Sequence, residues 1–384
     1  MTTACARPPI LNRALLLRFV SVVASSVSFY LPLAVIPMYA GTSGTATAAG
    51  LANGVLLVAT VLGELVTPRI VTLVGYRWAL GAGLVLLGAP ALALLGSMSV
   101  PMIFAVGVLR GIGFAITMVA GGALTAALIP DERRGEGLAI VGLVGGVPSL
   151  LALPLGVWMA GHWGYGIVFV LTAAFPIVAV VTVLGLPDRE KADSEQHGVL
   201  GGLRNGALTR PALIFAAAAG AAGVVVTYLP LATQTWVAPI ALFVQPAAAT
   251  VGRWFAGKIG DRHGQVRMLV PSVGLAILGM VLMAATHEPA FVFAGAALFG
   301  IGFGVLQNAS ISLMYARVPA AGYSTVSAIW NAAYDLGMAA GSIGVGVIVT
   351  ATSFPMAFVL TAAAMVPAAV MSWREGRLLP SPRP

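Results

Sequence analysis

Twelve apolar runs of about 20 residues or more, the length at which a helix crosses a bilayer, fill most of this chain. They lie at 16–39, 48–73, 78–97, 101–128, 137–160 and 166–186, then at 211–235, 238–258, 268–286, 290–316, 324–350 and 354–373. No other feature restricts the possible folds so severely. A segment in lipid must satisfy every backbone N–H and C=O internally, which leaves helices and closed barrels. The runs are continuously apolar and much longer than the alternating ten-residue segments of a barrel, so each reads as a helix. Composition agrees: 59% of residues are hydrophobic and 8% are charged, against roughly 25% charged in a soluble domain. So few charges cannot coat a soluble surface of this size. The 47 glycines and 24 prolines do not oppose helices in a membrane, where both are tolerated.

The two sets of six runs copy one another. "FVLTAA" stands at Phe169–Ala174 and again, 189 residues on, at Phe358–Ala363. "GIGF" at Gly111–Phe114 returns at Gly300–Phe303 with the same offset, as does Pro130 at Pro319. "YLPLA" at Tyr30–Ala34 returns at Tyr228–Ala232, and its slightly larger offset fits a longer loop in the first half around "YAGTSGTATAAG". The expected fold is therefore an all-α integral membrane protein of twelve transmembrane helices in two six-helix pseudo-repeats. The boundaries are 1–186 for the first bundle, 187–210 for a hydrophilic linker and 211–384 for the second bundle.

The formal net charge of +8 raises the question of a nucleic-acid partner, and the placement of the charges answers it. Eighteen of the 20 Lys and Arg residues fall in alternate connections or among the five run residues bordering them, beginning with Arg7, Arg13 and Arg18, while the other six connections hold none. This is the positive-inside pattern. It implies a multi-pass protein of the cell membrane with both termini and the linker in the cytoplasm. The excess charge sets topology and does not imply nucleic acid. The first run is too long for a signal h-region and lacks an evident small-x-small cleavage site, so it reads as the first helix. The single cysteine, Cys5, excludes an internal disulfide and any cysteine-based metal cluster.

Enzyme signatures are missing. The chain has no H-E-x-x-H, G-x-S-x-G or G-x-x-x-x-G-K-[ST], and its histidines (His162, His197, His263, His287) show no metal-ligand spacing. Nothing implies a cofactor. Without a phosphate-cradling loop, uphill transport would have to draw on an ion gradient or a partner.

The strongest local motif is "GRWFAGKIGDRHGQVR", Gly252–Arg267. It resembles the G-x-x-x-D-R-x-G-x-x-[RK] signature of the major facilitator superfamily through Gly257, Asp261, Arg262, Gly264 and Arg267, with Arg253 just before it. The first-half counterpart, "GELVTPRIVTLVGYRW" at Gly63–Trp78, matches at Gly63 and Gly75 but has Thr72 and Leu73 where the motif has Asp and Arg. "LRGIGFAITMVAGGALTAALIPDERRGEG", Leu109–Gly137, resembles the family's fourth-helix signature with Arg110 in place. The fifth run, "GLVGGVPSLLALPLGVW", is Gly- and Pro-rich like the motif of the drug:proton antiporter branch, although its glycine spacing differs. The resemblance implies a secondary transporter that alternates access to a midplane site, with the Asp261/Arg262 turn as a cytoplasmic latch. An Asp and an Arg at a helix end can bind another helix terminus.

Few polar groups lie within the runs, and each is costly there. Arg110 is about 14 Å into the fourth run and Asp335 about 17 Å into the eleventh, at 1.5 Å per residue. Asp335 reads as the proton carrier, Arg110 as the group that tunes it, and Glu64 as the competing carboxylate nearer the cytoplasm. Trp330, Asn331 and Tyr334 precede Asp335 within five residues, Asn331 on its helical face, and read as substrate-cavity residues. Gln307, Asn308, Tyr228 and Ser25 read as further lining. Such a cavity is poor in hydrogen-bonding groups and suits an apolar or amphipathic small molecule better than a sugar. The expectation is proton-coupled efflux by a monomer, with the substrate, protons and the lipid bilayer as partners. An uptake permease for a small nutrient is the alternative, and a non-transporting membrane sensor or scaffold is the alternative of another class.

Overall fold

The computed structural model describes residues 12–43, 45–97, 99–129, 134–186, 206–319 and 322–377, and they are overwhelmingly helical. The helices are α1 (Arg13–Tyr30), α2 (Val35–Ser43), α3 (Ala46–Gly88), α4 (Val100–Leu128), α5 (Arg134–Trp163) and α6 (Tyr165–Val183). They continue with α7 (Gly206–Ala232), α8 (Val237–His263), α9 (Leu269–Met283), α10 (Pro289–Tyr315), α11 (Tyr323–Ala351), α12 (Phe354–Ala364) and α13 (Val366–Arg377). Among the described residues, ten helical segments are long and apolar enough to cross a membrane. One of them, Ala46–Leu95, is 50 residues long and is broken by the non-helical Gly75. α8 is not among the ten; it carries Gln245 and Arg253 within its length.

Local chemistry sets the ends. Asn12 caps α1 by accepting the backbone N–H of Leu15 at 2.8 Å. Pro32 lies in the short turn that separates α1 from α2, where an interior proline would remove a helical hydrogen bond. Pro101 and Pro289 sit in the first turns of α4 and α10, where their missing N–H costs nothing. Gly75, Gly164 and Gly264 take φ of 79°, 82° and 85°, a region that side chains with a Cβ rarely enter, and each marks a reversal between helices. The structure starts α7 at Gly206, five residues before the apolar run does.

The chain forms two compact units. The first comprises residues 1–35 and 59–193, the second 36–58 and 194–384. The first unit is built on Leu80, Leu84, Ile116, Leu124 and Val183, drawn from α3, α4 and α6. In the second, α7, α10 and α11 bury Leu208, Met314, Val326 and Ile329. Large apolar side chains such as Leu62, Val178 and Trp254 are nevertheless exposed, as a protein solvated by lipid requires.

Candidate functional site

Asp335 lies about 18 Å along α11 from its start at Tyr323, at 1.5 Å per residue, and is buried. On the same helix, in the second unit, aromatic rings gather around Trp330 and Tyr334. Phe215 of α7 stacks on Trp330 with centroids 4.4 Å apart and 8° between planes, and on Tyr334 at 5.9 Å and 16°. Trp330 and Tyr334 are four residues apart on α11, so they share a face and one ring can cover both. Phe303 of α10 extends the wall, 5.7 Å from Phe215 and 6.3 Å from Tyr334, and Phe299 follows at 5.8 Å. Trp330 Nε1 donates to Ser310 Oγ at 3.0 Å, which fixes the indole. Stacked and tilted rings at these spacings contribute beyond their area, and Phe215 and Phe299 are fully buried within the cluster.

The other expected lining residues fall into three settings. Gln307 and Asn308 are half-buried, the first one helical turn beyond Phe303 on α10. Asn308 Oδ1 accepts from Ser312 Oγ at 3.4 Å. Asn331 is exposed, one turn before Asp335. Tyr228 is fully buried, and its hydroxyl donates to the carbonyls of Ser342 and Ala46. It belongs to a polar seam in which Asn53 Nδ2 donates to Thr227 Oγ1 at 3.0 Å and Thr227 shares a hydrogen bond with Ser342 Oγ, also at 3.0 Å. Ser25 donates to the Val22 carbonyl of its own helix.

Arg110 is fully buried in the first unit. Its Nη1 donates to the Leu87 carbonyl and its Nη2 to the Ser28 carbonyl, both at 2.8 Å, while Nε has no partner among the described residues. A second buried guanidinium, Arg18, bridges α1 to α4. It donates to Gly121 O at 3.2 Å, Thr125 Oγ1 at 3.1 Å and Ser21 Oγ at 2.7 Å. Gly121 has no side chain there because a Cβ would collide with that guanidinium. In the sequence Arg18 counts with the N-terminal cations; in the structure it is an interior strut. Glu64 is half-buried on α3 beside Gly63, which packs closely on Ala115 and Ile112 of α4.

At the motif loop, Gly264 makes the turn that ends α8, and Arg253 and Arg267 are exposed. Arg253 donates to Thr250 Oγ1 at 3.3 Å. Gly257 is half-buried, close to Asn308. The side chains of Asp261 and Arg262 lie outside the described residues. No cluster of three or more metal-binding side chains occurs among those described.

Sequence reasoning missed Phe215, Phe299 and Phe303. A signal was available for two: Phe303 closes the second "GIGF", and Phe299 stands where the first half has Arg110.

The chain is similar over most of its length to known proteins. The chain is 29% identical over 333 residues to a chloramphenicol resistance protein of Streptomyces lividans, covering 79% of each. It is 25% identical over 275 residues to a staphylopine export protein of Staphylococcus aureus, covering 67% of this chain and 68% of that one. Crystal structures of the nucleoside transporter NupG and of a bacterial homologue of the human lysosomal transporter Spinster share the fold. The first has a TM-score of 0.77 at 15% identity, covering 96% of this chain and all of NupG; the second has 0.78 at 13%, covering 98% and 100%. The family model of the Major Facilitator Superfamily matches residues 18–236 and 232–384. The chain is thus a multi-pass membrane transporter of small molecules, not an enzyme, and it belongs to the Major Facilitator Superfamily.

Proposed function

We propose that this transporter exports a small apolar or amphipathic compound in exchange for protons, binding it against the rings of Phe215, Phe303, Trp330 and Tyr334 beside Asp335. The observation that carries the reading is that aromatic cluster on α11 and its neighbours, on the same helix that carries the buried Asp335. Rings accept apolar solutes of varied shape, and few polar groups nearby demand a particular hydroxyl pattern. The resistance and export roles named for the two relatives favour efflux over uptake. A carboxylate whose surroundings change between inward- and outward-open states can bind a proton on one side and release it on the other. Arg110 cannot be the carrier, since a guanidinium stays charged. It holds α1, α3 and α4 together.

The surrounding architecture is read as twelve crossings in the cell membrane, acting as a monomer, with bundles at 1–186 and 211–384 and both termini cytoplasmic. Ten apolar segments, the break at Gly75 within one of them, and α8 make up the twelve. Matched contacts support the repeat: Gly63 packs on Ile112, and 189 residues on, Gly252 packs on Ile301. Gly75 and Gly264, also 189 apart, share a positive φ. Asp261 and Arg262 then latch the cytoplasmic side.

The test is Asp335→Asn in proteoliposomes with an imposed pH gradient. Gradient-driven flux should fall at least tenfold while the variant still binds substrate, and Glu64→Gln should lose much less. Uphill transport by Asp335→Asn that still collapses with the gradient would assign the proton elsewhere.

A further inference from the structure

Between α1, α5 and α6 of the first unit runs a groove of about 800 Å³. Its walls include Leu16, Val20 and Val23 from α1, Val144 from α5, and Leu171 and Phe175 from α6. We propose that this groove holds an acyl chain of an anionic phospholipid whose phosphate pairs with Arg13.

The walls are stripes of helical periodicity. Leu16, Val20 and Val23 lie at i, i+4 and i+7 along α1, and Leu171, Phe175 and Val178 repeat the spacing on α6. α5 contributes little beyond Val144, and it carries Gly142, Gly145 and Gly146 over the same stretch. A Cβ added at Gly142 or Gly146 would meet nothing within 4 Å. These glycines lie on other faces of α5 than Val144, so the groove is walled chiefly by α1 and α6. Leu16 and Val20 are each 50% exposed although both stand on α1, a helix whose other face is in the core.

Depth and chemistry select the occupant. Along α1 the lining runs from Leu16 to Ala24, about 12 Å of helix, and Arg13 stands about 4.5 Å farther out. Cation and groove together span about half of a hydrocarbon core about 30 Å thick. The groove's lining is apolar throughout, so water has no partner in it. A site for a transported solute would carry a few placed polar groups to orient it, and none lines this one. The cation is at the mouth: Arg13 is exposed and lies at i−3 from Leu16 and i−7 from Val20, on the same stripe. An anionic headgroup at that level meets a guanidinium, and its chain meets the groove. Phosphate is a bidentate partner for arginine.

Native mass spectrometry on delipidated protein tests this with phosphatidylglycerol and phosphatidylcholine of identical chains. Wild type should retain the phosphatidylglycerol at least threefold better, and Arg13→Gln should reduce it to the phosphatidylcholine level. Ala174→Trp, or Val20→Trp if the first is not monodisperse, fills the groove and should remove the bound lipid. Glycerol phosphate, the headgroup without chains, should not compete. Equal retention of the two lipids, retention unaffected by Arg13→Gln, displacement by glycerol phosphate, or retention by a groove-filled variant would each overturn the assignment.

Discussion

The helix pairs α1/α5 and α7/α11 occupy corresponding places in the two halves of the sequence, yet their glycines serve opposite ends. In α7/α11 the glycines form a zipper. A Cβ added at Gly341 would fall on the Gly220 carbonyl, one at Gly337 on that of Ala216, and one at Gly223 on that of Met338. In α1/α5 such an approach occurs near one end, where Gly156 faces the Leu31 carbonyl. Farther along α5, Gly142 and Gly146 face open space, and Gly145 only reaches Val22 at 3.4 Å. Small residues allow close helix contact in lipid, where no hydrophobic force drives helices together. They do not compel it. The same composition yields a sealed pair in one half and, in the other, an α5 whose glycines are in part left open.

The contrast is broken most directly at Gly341. A leucine there meets backbone, which cannot swing aside as a flexible side chain can. Overpacking of this kind costs about 3 kcal/mol or more. Gly341→Leu should lower the thermal midpoint in detergent sharply and reduce the monodisperse fraction on size-exclusion chromatography. If it melts like wild type, α7 and α11 separate easily and the zipper has no energetic weight.

A smaller effect is expected at Tyr228. Its hydroxyl joins Ala46, at the start of α3, to Ser342 of α11 within the second unit, and a Cβ at Gly50 or Gly346 would press on that same hydroxyl. Tyr228→Phe keeps the ring and removes the donor. The loss should be about 1 kcal/mol, the net value of one hydrogen bond. Asn53→Ala should cost a similar amount by freeing Thr227. In a double-mutant cycle the pair should couple, because both act on Ser342. Additive losses would mean that the seam is two unrelated bonds.

These cases show where the sequence is readable. Apolar length and charge placement report the solvent, so the membrane class and most helix positions follow from them. The reversals at Gly75 and Gly264 are readable because only glycine takes that φ cheaply. Asp335 and Arg110 stand out because a charge in an apolar run is costly. Phe215 and Phe299 do not, since a phenylalanine facing a partner helix looks the same in sequence as one facing lipid, such as Phe291. Arg18 misleads for a related reason. Its place near the start of α1 matches a topogenic cation, and only Gly121, more than 100 residues away, reveals the space for its guanidinium. Tyr228 is a polar residue in an apolar run and invites a ligand, but its partners are carbonyls that no pattern announces.

The smallest effect should be at Gly146, and it is the sharpest check on that open face of α5. Alanine is the better helix former by up to about 1 kcal/mol, and at an open position no contact opposes that gain. In the membrane part of the gain is lost, because an exposed glycine backbone is already fully hydrogen-bonded within α5. Gly146→Ala should therefore shift stability by no more than about 0.5 kcal/mol, as surface substitutions away from special features do. Gly341→Ala makes the identical chemical change against the Gly220 carbonyl and should lose about 1 to 3 kcal/mol. Measuring both melting curves in one detergent cancels the propensity difference and leaves the packing difference alone. A loss at Gly146 above about 1 kcal/mol would mean that a neighbour reaches that face of α5, and the two helix pairs would then be alike.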